Sequence, residues 1–157
     1  MIGFVKNICT YLVIGSVLQG IGMALNSNFL SEFLTNNLIA LLIALLAINI
    51  TTLSVLVTKM NDLATSKGVQ FPVTILEMRI SINEQVALIA SAVFVQILNG
   101  SASFKLLLPY SNFILPTLLA AILVYAIDIL RDTAASVFVI LRHEEQQAGS
   151  NQKAKII

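Results

Sequence analysis

Charge is the scarcest resource in this sequence. Asp, Glu, Lys and Arg make up 11% of its 157 residues, against about a quarter in a soluble domain. Hydrophobic residues make up 57%, and the mean hydropathy is +0.91. A chain this long buries one core; the apolar surface left over needs lipid as its solvent. The net charge of +1 leaves no electrostatic footprint for direct nucleic-acid binding. Only one cysteine is present, Cys9, so an internal disulfide and any thiol chemistry based on paired cysteines are excluded. Cys9 reads as a small apolar residue at a helix start. The single histidine, His143, stands beside Glu144 and Glu145 without a second histidine, which is not a metal site. Tryptophan is missing, so Tyr11, Tyr110 and Tyr125 are left to serve the membrane interface. Gly-rich phosphate loops, paired carboxylates within an apolar stretch and a serine with a nearby base are all missing. The expectation is a protein that is not an enzyme and carries no cofactor and no metal.

What is abundant is long apolar sequence. Four stretches stand out, 8–25, 38–58, 86–104 and 113–130, each close to the roughly 20 residues that cross about 30 Å of hydrocarbon. Open strands leave backbone groups unpaired in lipid, so these stretches are expected to be helices. The predicted fold class is all-α integral membrane: four transmembrane helices over residues 1–142, followed by a polar cytoplasmic tail, 143–157. Lys6 ahead of the first stretch and Gly22-Met23-Ala24 at its end have the outline of a secretory signal with its cleavage site. The segment is read here as a membrane anchor and first span.

The basic residues orient the spans. Lys6, Lys59, Lys67, Arg79, Arg131, Arg142, Lys153 and Lys155 fall on one side and Lys105 alone on the other. Positive charge stays inside, which predicts cytoplasmic termini and a cytoplasmic 59–85 segment.

Between the first two spans, Phe29, Leu30, Phe33 and Leu34 share a helical face, which reads as a short amphipathic helix at the outer interface. Residues 61–70 are polar, contain Gly68 and read as a turn, and Pro72 suits the first turn of the next helix. From there Ile75, Leu76, Arg79, Ile82 and Asn83 carry a helical period into the third span. Spans two and three are therefore expected to project from the membrane as a helical hairpin, with Glu77, Arg79 and Glu84 as its charged face and candidate partner-binding residues. Pro109 and Pro116 bracket the outer start of the fourth span. Past Leu130 the chain offers two options. The helix exits near Asp128 and an amphipathic segment follows, which the cost of central charge in lipid favours; or one long helix runs to Arg142. Residues 143–157 read as a loosely ordered tail, apart from Lys155-Ile156-Ile157.

Asp128, Arg131 and Asp132 share a helix face at i, i+3 and i+4. They form either an intramembrane ion relay or a self-paired cluster that snorkels to water. Polar residues inside the spans, including Asn49, Thr51, Thr52, Ser54, Thr58, Ser91, Gln96 and Asn99, are expected to turn toward other helices for hydrogen bonds. Small residues at four-residue spacing, Ser16, Gly20 and Ala24 in the first span and Ala40 and Ala44 in the second, mark close-packing faces and predict a homo-oligomer.

The span plan over residues 8–130, with Ala47-Ile48-Asn49-Ile50-Thr51-Thr52-Leu53 leading into a cytoplasmic hairpin, resembles the membrane subunit of the Kiwa anti-phage system. The resemblance implies a homo-oligomer that senses disturbance of the inner membrane and engages a cytoplasmic effector protein; it assigns no functional residue. Two classes of function follow from the sequence: a sensor or scaffold that recruits a soluble partner, and a pore or transport subunit. A conduction path needs a densely polar lining, and the polar residues here are scattered.

Overall fold

The computed structural model describes residues 2–67, 72–102, 104 and 110–154, with 2–7, 63, 66–67 and 136–154 described as backbone only. The described residues are helical and contain no strand. Four long helices account for nearly all of them: α1 (Ile2–Ala24), α2 (Phe29–Lys67), α3 (Pro72–Gly100) and α4 (Ser111–Ala154). Three stretches, Phe29–Asp62, Pro72–Gly100 and Ser111–Ala135, are long and apolar enough to cross a membrane, and the apolar helix Ile8–Ala24 is shorter. The expected turn around Gly68, Lys105, Pro109 and the closing Lys155-Ile156-Ile157 lie outside the described residues.

The α1–α2 corner shows how local sequence sets the path. Asn26 has φ 55°, the left-handed conformation that asparagine tolerates better than most residues. The Ser27 amide donates to the Gly22 carbonyl at 2.9 Å and the Asn26 amide to Met23 at 3.0 Å. These two bonds satisfy carbonyls that the helix end would leave open. Two residues later α2 begins. Asn26→Val is expected to cost about 1–2 kcal/mol, the penalty of a β-branched residue held left-handed, whereas Asn26→Gly is expected to keep wild-type stability. Reversible unfolding of both variants in bicelles checks the pair.

Residues 29–34 are the first turns of α2 and not a separate interfacial helix: Leu34, 1% exposed, starts a buried seam that continues through Leu38, Leu42, Asn49, Leu53, Leu56 and Met60. That spacing keeps one face of α2 inward along its whole length. On α3 the facing seam is Met78, Gln85 and Ala92 alternating with Leu88 and Val95, a heptad-like repeat that suits shallow helix crossing. α4 supplies the centre of the bundle and packs against the other three helices, while among the described residues the backbones of α1 and α3 do not approach each other closely. The upper core gathers Leu34, Leu38, Leu88, Ala92, Leu115 and Leu119 from α2, α3 and α4; a second cluster, Leu53, Leu56, Met60 and Met78, closes the α2–α3 hairpin. Residues 61–67 continue α2, and Pro72 opens α3 where its missing N–H costs nothing.

α4 runs unbroken from Ser111 to Ala154, so the helix itself does not end near Asp128, and 143–154 are helical where a loosely ordered tail is expected. Local propensity explains the far end: residues 141–148, LRHEEQQA, are mostly good helix formers and contain neither Pro nor a β-branched residue. Pro116 is accommodated inside α4, within its second turn.

The hydroxyls correct one expectation. Thr51, Thr52, Ser54, Thr58 and Ser91 donate to the carbonyl four residues earlier in their own helix, at 2.8–3.0 Å. A serine or threonine satisfies itself this way in apolar surroundings, so Thr51, Ser54, Thr58 and Ser91 need no partner helix and are exposed.

Candidate functional site: an acid-lined cavity among the four helices

Polar side chains that meet across helices concentrate at one end of the bundle. Asn49 on α2 is fully buried, and its amide nitrogen donates to Gln85 Oε1 at 3.0 Å and to Ser81 Oγ at 3.2 Å, both on α3. Gln85 is 3% exposed. Asn49 Oδ1 and Gln85 Nε2 have no partner among the described residues. Exchanging O and N on both amides would move the orphans without removing them, since one contact cannot use both ends of two amides.

On the other side of α3, the Tyr11 hydroxyl of α1 donates to Asp128 Oδ2 of α4 at 2.5 Å. Asp128 Oδ1 meets the Arg131 guanidinium at 2.9 Å, and the same guanidinium nitrogen lies 3.4 Å from Asp132. Asp128 is the sheltered member of this cluster, at 25% side-chain exposure against 74% for Arg131. Arg131 therefore reaches outward while holding an inward carboxylate, and the i,i+3 pair is self-contained within α4. The ring of Tyr11 stacks on that of Tyr125 at 4.8 Å between centroids, and Tyr125 shares a cavity wall with Glu84 of α3. A chain of contacts thus runs Arg131, Asp128, Tyr11, Tyr125 from α4 to α1 and back to α4, ending at the wall that Glu84 of α3 shares.

Tyr11, Glu84, Tyr125 and Asp128 line a cavity of about 500 Å³. Its walls include Glu77, Ser81 and Glu84 of α3, Asp128 and Asp132 of α4, and both tyrosines, with Leu53, Leu56 and Met78 as apolar surface. Among the described residues, lysine, arginine and histidine do not line it. Helical spacing explains the selection: Glu77, Ser81 and Glu84 recur at i, i+4 and i+7, and Tyr125, Asp128 and Asp132 at i, i+3 and i+7. Arg79, two residues from Glu77, falls on another face and stays exposed outside the cavity. The expected charged strip therefore divides: Glu77 and Glu84 go to the cavity, and Arg79 does not.

The expected packing residues divide as well. Asn49 joins two helices. Thr52, Gln96 and Asn99 are half-buried. Ser16 is half-buried with its hydroxyl on the Leu12 carbonyl, Ala24 is exposed, and a side chain added at Gly20 would meet nothing within 4 Å. The close approach lies one residue from that seam, at Gly15, where an added Cβ would sit 2.7 Å from the Thr117 carbonyl oxygen and 3.0 Å from the Ala121 nitrogen. Sequence reading missed Gly15, Ser81, Gln85 and the tyrosine pair as site residues. The heptad spacing from Met78 through Gln85 to Ala92 was the available signal for Gln85; nothing in the spacing links Tyr11 to Asp128, which are 117 residues apart. Among the described residues no group of three or more His, Cys, Asp or Glu side chains converges as a metal site, so the carboxylates are spread along the cavity. Comparison of the chain with family models, curated proteins and solved structures finds no match, which leaves the geometry of this cavity and of the helix ends around it to carry the functional reading.

Proposed function

We propose that the chain is a non-enzymatic, oligomeric sensor or scaffold of the bacterial inner membrane, with four crossings and cytoplasmic termini, that recruits a soluble effector protein through the end of the bundle bearing Glu77 and Arg79. The observation that carries this reading is length. α2 has 39 residues and α4 has 44, about 58 and 66 Å of helix at 1.5 Å per residue, against about 30 Å of hydrocarbon. Much of the excess, residues 59–67 of α2 and the stretch of α4 past Leu130, falls where Lys59, Arg79 and Arg131 stand, and the positive-inside rule assigns that end to the cytoplasm. The hairpin has its own apolar core there, in Met60 and Met78, so it can present a rigid surface. Exposed Glu77 and Arg79 supply interleaved charge, which sets orientation and rejects wrong partners in protein association. The resemblance of the span plan to the Kiwa membrane subunit supplies a setting in anti-phage defence.

A pore or transport subunit is the competing reading, and the acid-lined cavity favours it. Against it, the other half of the bundle is filled by Leu34, Leu38, Leu115 and Leu119, each at most 2% exposed, which offers an ion no polar path through one chain.

Charge reversal tests the docking reading. Glu77→Lys combined with Arg79→Glu is expected to leave expression and oligomer size unchanged, because exposed charges contribute little to stability, and to abolish co-purification of the soluble protein encoded beside this one. Retention of that protein with unchanged salt dependence would remove the hairpin as the docking surface. Glu84 is left intact in this test because it lines the cavity beside Tyr125.

A further inference from the structure

The acid-lined cavity does not stand alone. A second cavity, of about 320 Å³, opens between α1 and α3, the two helices that α4 holds apart. Its walls are mainly apolar, with Leu12 from α1, Ala87 and Leu88 from α3, and Leu118 and Ile122 from α4. The two cavities share three residues, Tyr11, Glu84 and Tyr125. An apolar chamber therefore meets an acidic one at a stacked aromatic pair and a carboxylate. Each chamber falls in the range of roughly 300–1,000 Å³ that holds a small molecule.

We propose that the two chambers form one binding site for an amphipathic organic cation, its apolar body lying between α1 and α3 and its cationic head beside Glu84, Asp128 and the tyrosine pair. The charge inventory selects the sign. Among the described residues, four carboxylates line the acidic chamber and no basic side chain does. Arg131 offsets Asp128 from outside that wall, but no ion pair among the described residues involves Glu84. A carboxylate at the edge of lipid without a cation is costly, and a bound cation removes that cost. The aromatic rings favour the same sign, since the face of an aromatic ring attracts ammonium-type cations. Chemistry also selects an organic cation over a metal ion, which needs oxygens converging at one point, and these carboxylates do not converge.

The test uses the full chain in phosphatidylcholine nanodiscs and radiolabelled tetraphenylphosphonium as the probe. Saturable binding above that of empty nanodiscs is expected, with tetraethylammonium, which has the charge without the apolar bulk, competing at least tenfold more weakly than unlabelled probe. Glu84→Gln removes the unpaired charge and is expected to weaken binding at least tenfold. Ala87→Trp fills the apolar chamber from an exposed α3 position and is expected to do the same while leaving Glu84 in place. Asp62→Asn, an exposed carboxylate outside both chambers, is expected to bind as wild type. Binding indistinguishable from empty nanodiscs would overturn the proposal, as would wild-type affinity in both Glu84→Gln and Ala87→Trp.

Discussion

Gly15→Leu is expected to destabilise the folded chain by about 3 kcal/mol, the upper end of what overpacking costs when the neighbour cannot move aside. The neighbours here are backbone: even a Cβ at position 15 would meet the Thr117 carbonyl oxygen at 2.7 Å and the Ala121 nitrogen at 3.0 Å. A flexible side chain could rotate away, but a helix backbone moves only if α1 and α4 separate. Separation would also pull Tyr11 from Asp128 and from Tyr125, so the cavity should lose its α1 wall together with stability. Gly20→Leu is the informative contrast. Position 20 faces open space, so this change is expected to leave the unfolding free energy of the single chain within about 0.5 kcal/mol and, on the proposed small-residue seam of Ser16, Gly20 and Ala24, to weaken self-association. Denaturant titration in bicelles measures the first effect and native mass spectrometry in mild detergent the second. Equal stability of Gly15→Leu and wild type would mean that α1 does not dock on α4 as described.

The second large effect is non-additivity between Asn49 and Gln85. Asn49→Leu leaves a fully buried Gln85 amide with its Oε1 contact removed as well as its unpartnered nitrogen, and is expected to cost about 1–3 kcal/mol, the penalty of an unpaired buried polar group. Gln85→Leu is expected to cost a similar amount by stranding Asn49 beside Ser81. The double variant removes both polar groups and replaces them with apolar ones in a leucine-rich seam. It is expected to be more stable than either single variant, because two orphaned atoms disappear with the bond. Double-mutant-cycle unfolding of the four proteins gives the coupling directly. Additive losses would show that the two amides do not depend on each other.

The sequence made the helices legible and their meetings much less so. Long apolar runs announce membrane-length helices because lipid leaves no other way to satisfy the backbone, and Pro72 marks a helix start through local chemistry alone. Helix ends in polar sequence were harder to read. Residues 61–67 and 143–154 look like turn and tail, yet both are helical, because a helix already propagating adds residues without a new nucleation cost. Side-chain roles divided along the same line. Hydroxyls that seemed to require another helix bond their own backbone, and the seam at Ser16 and Gly20 misses the true close approach at Gly15 by one residue, about 100° of helix rotation. Glu77 and Glu84 were visible as charged residues; their meeting with Asp128 and the tyrosines depends on how α3 and α1 lean on α4, a non-local fact that no spacing within one helix encodes.

The account stands on which end of the bundle faces the cytoplasm, because docking at Glu77 and Arg79 requires that end to be there. Single-cysteine labelling in intact cells tests this most directly, in a Cys9→Ser background with a membrane-impermeant maleimide. Asn36→Cys, exposed near the start of α2, is predicted to label from outside. Asp62→Cys, exposed near the other end of the same helix, is predicted to label only after the membrane is opened. Labelling of Asp62→Cys in intact cells together with protection of Asn36→Cys would contradict the account.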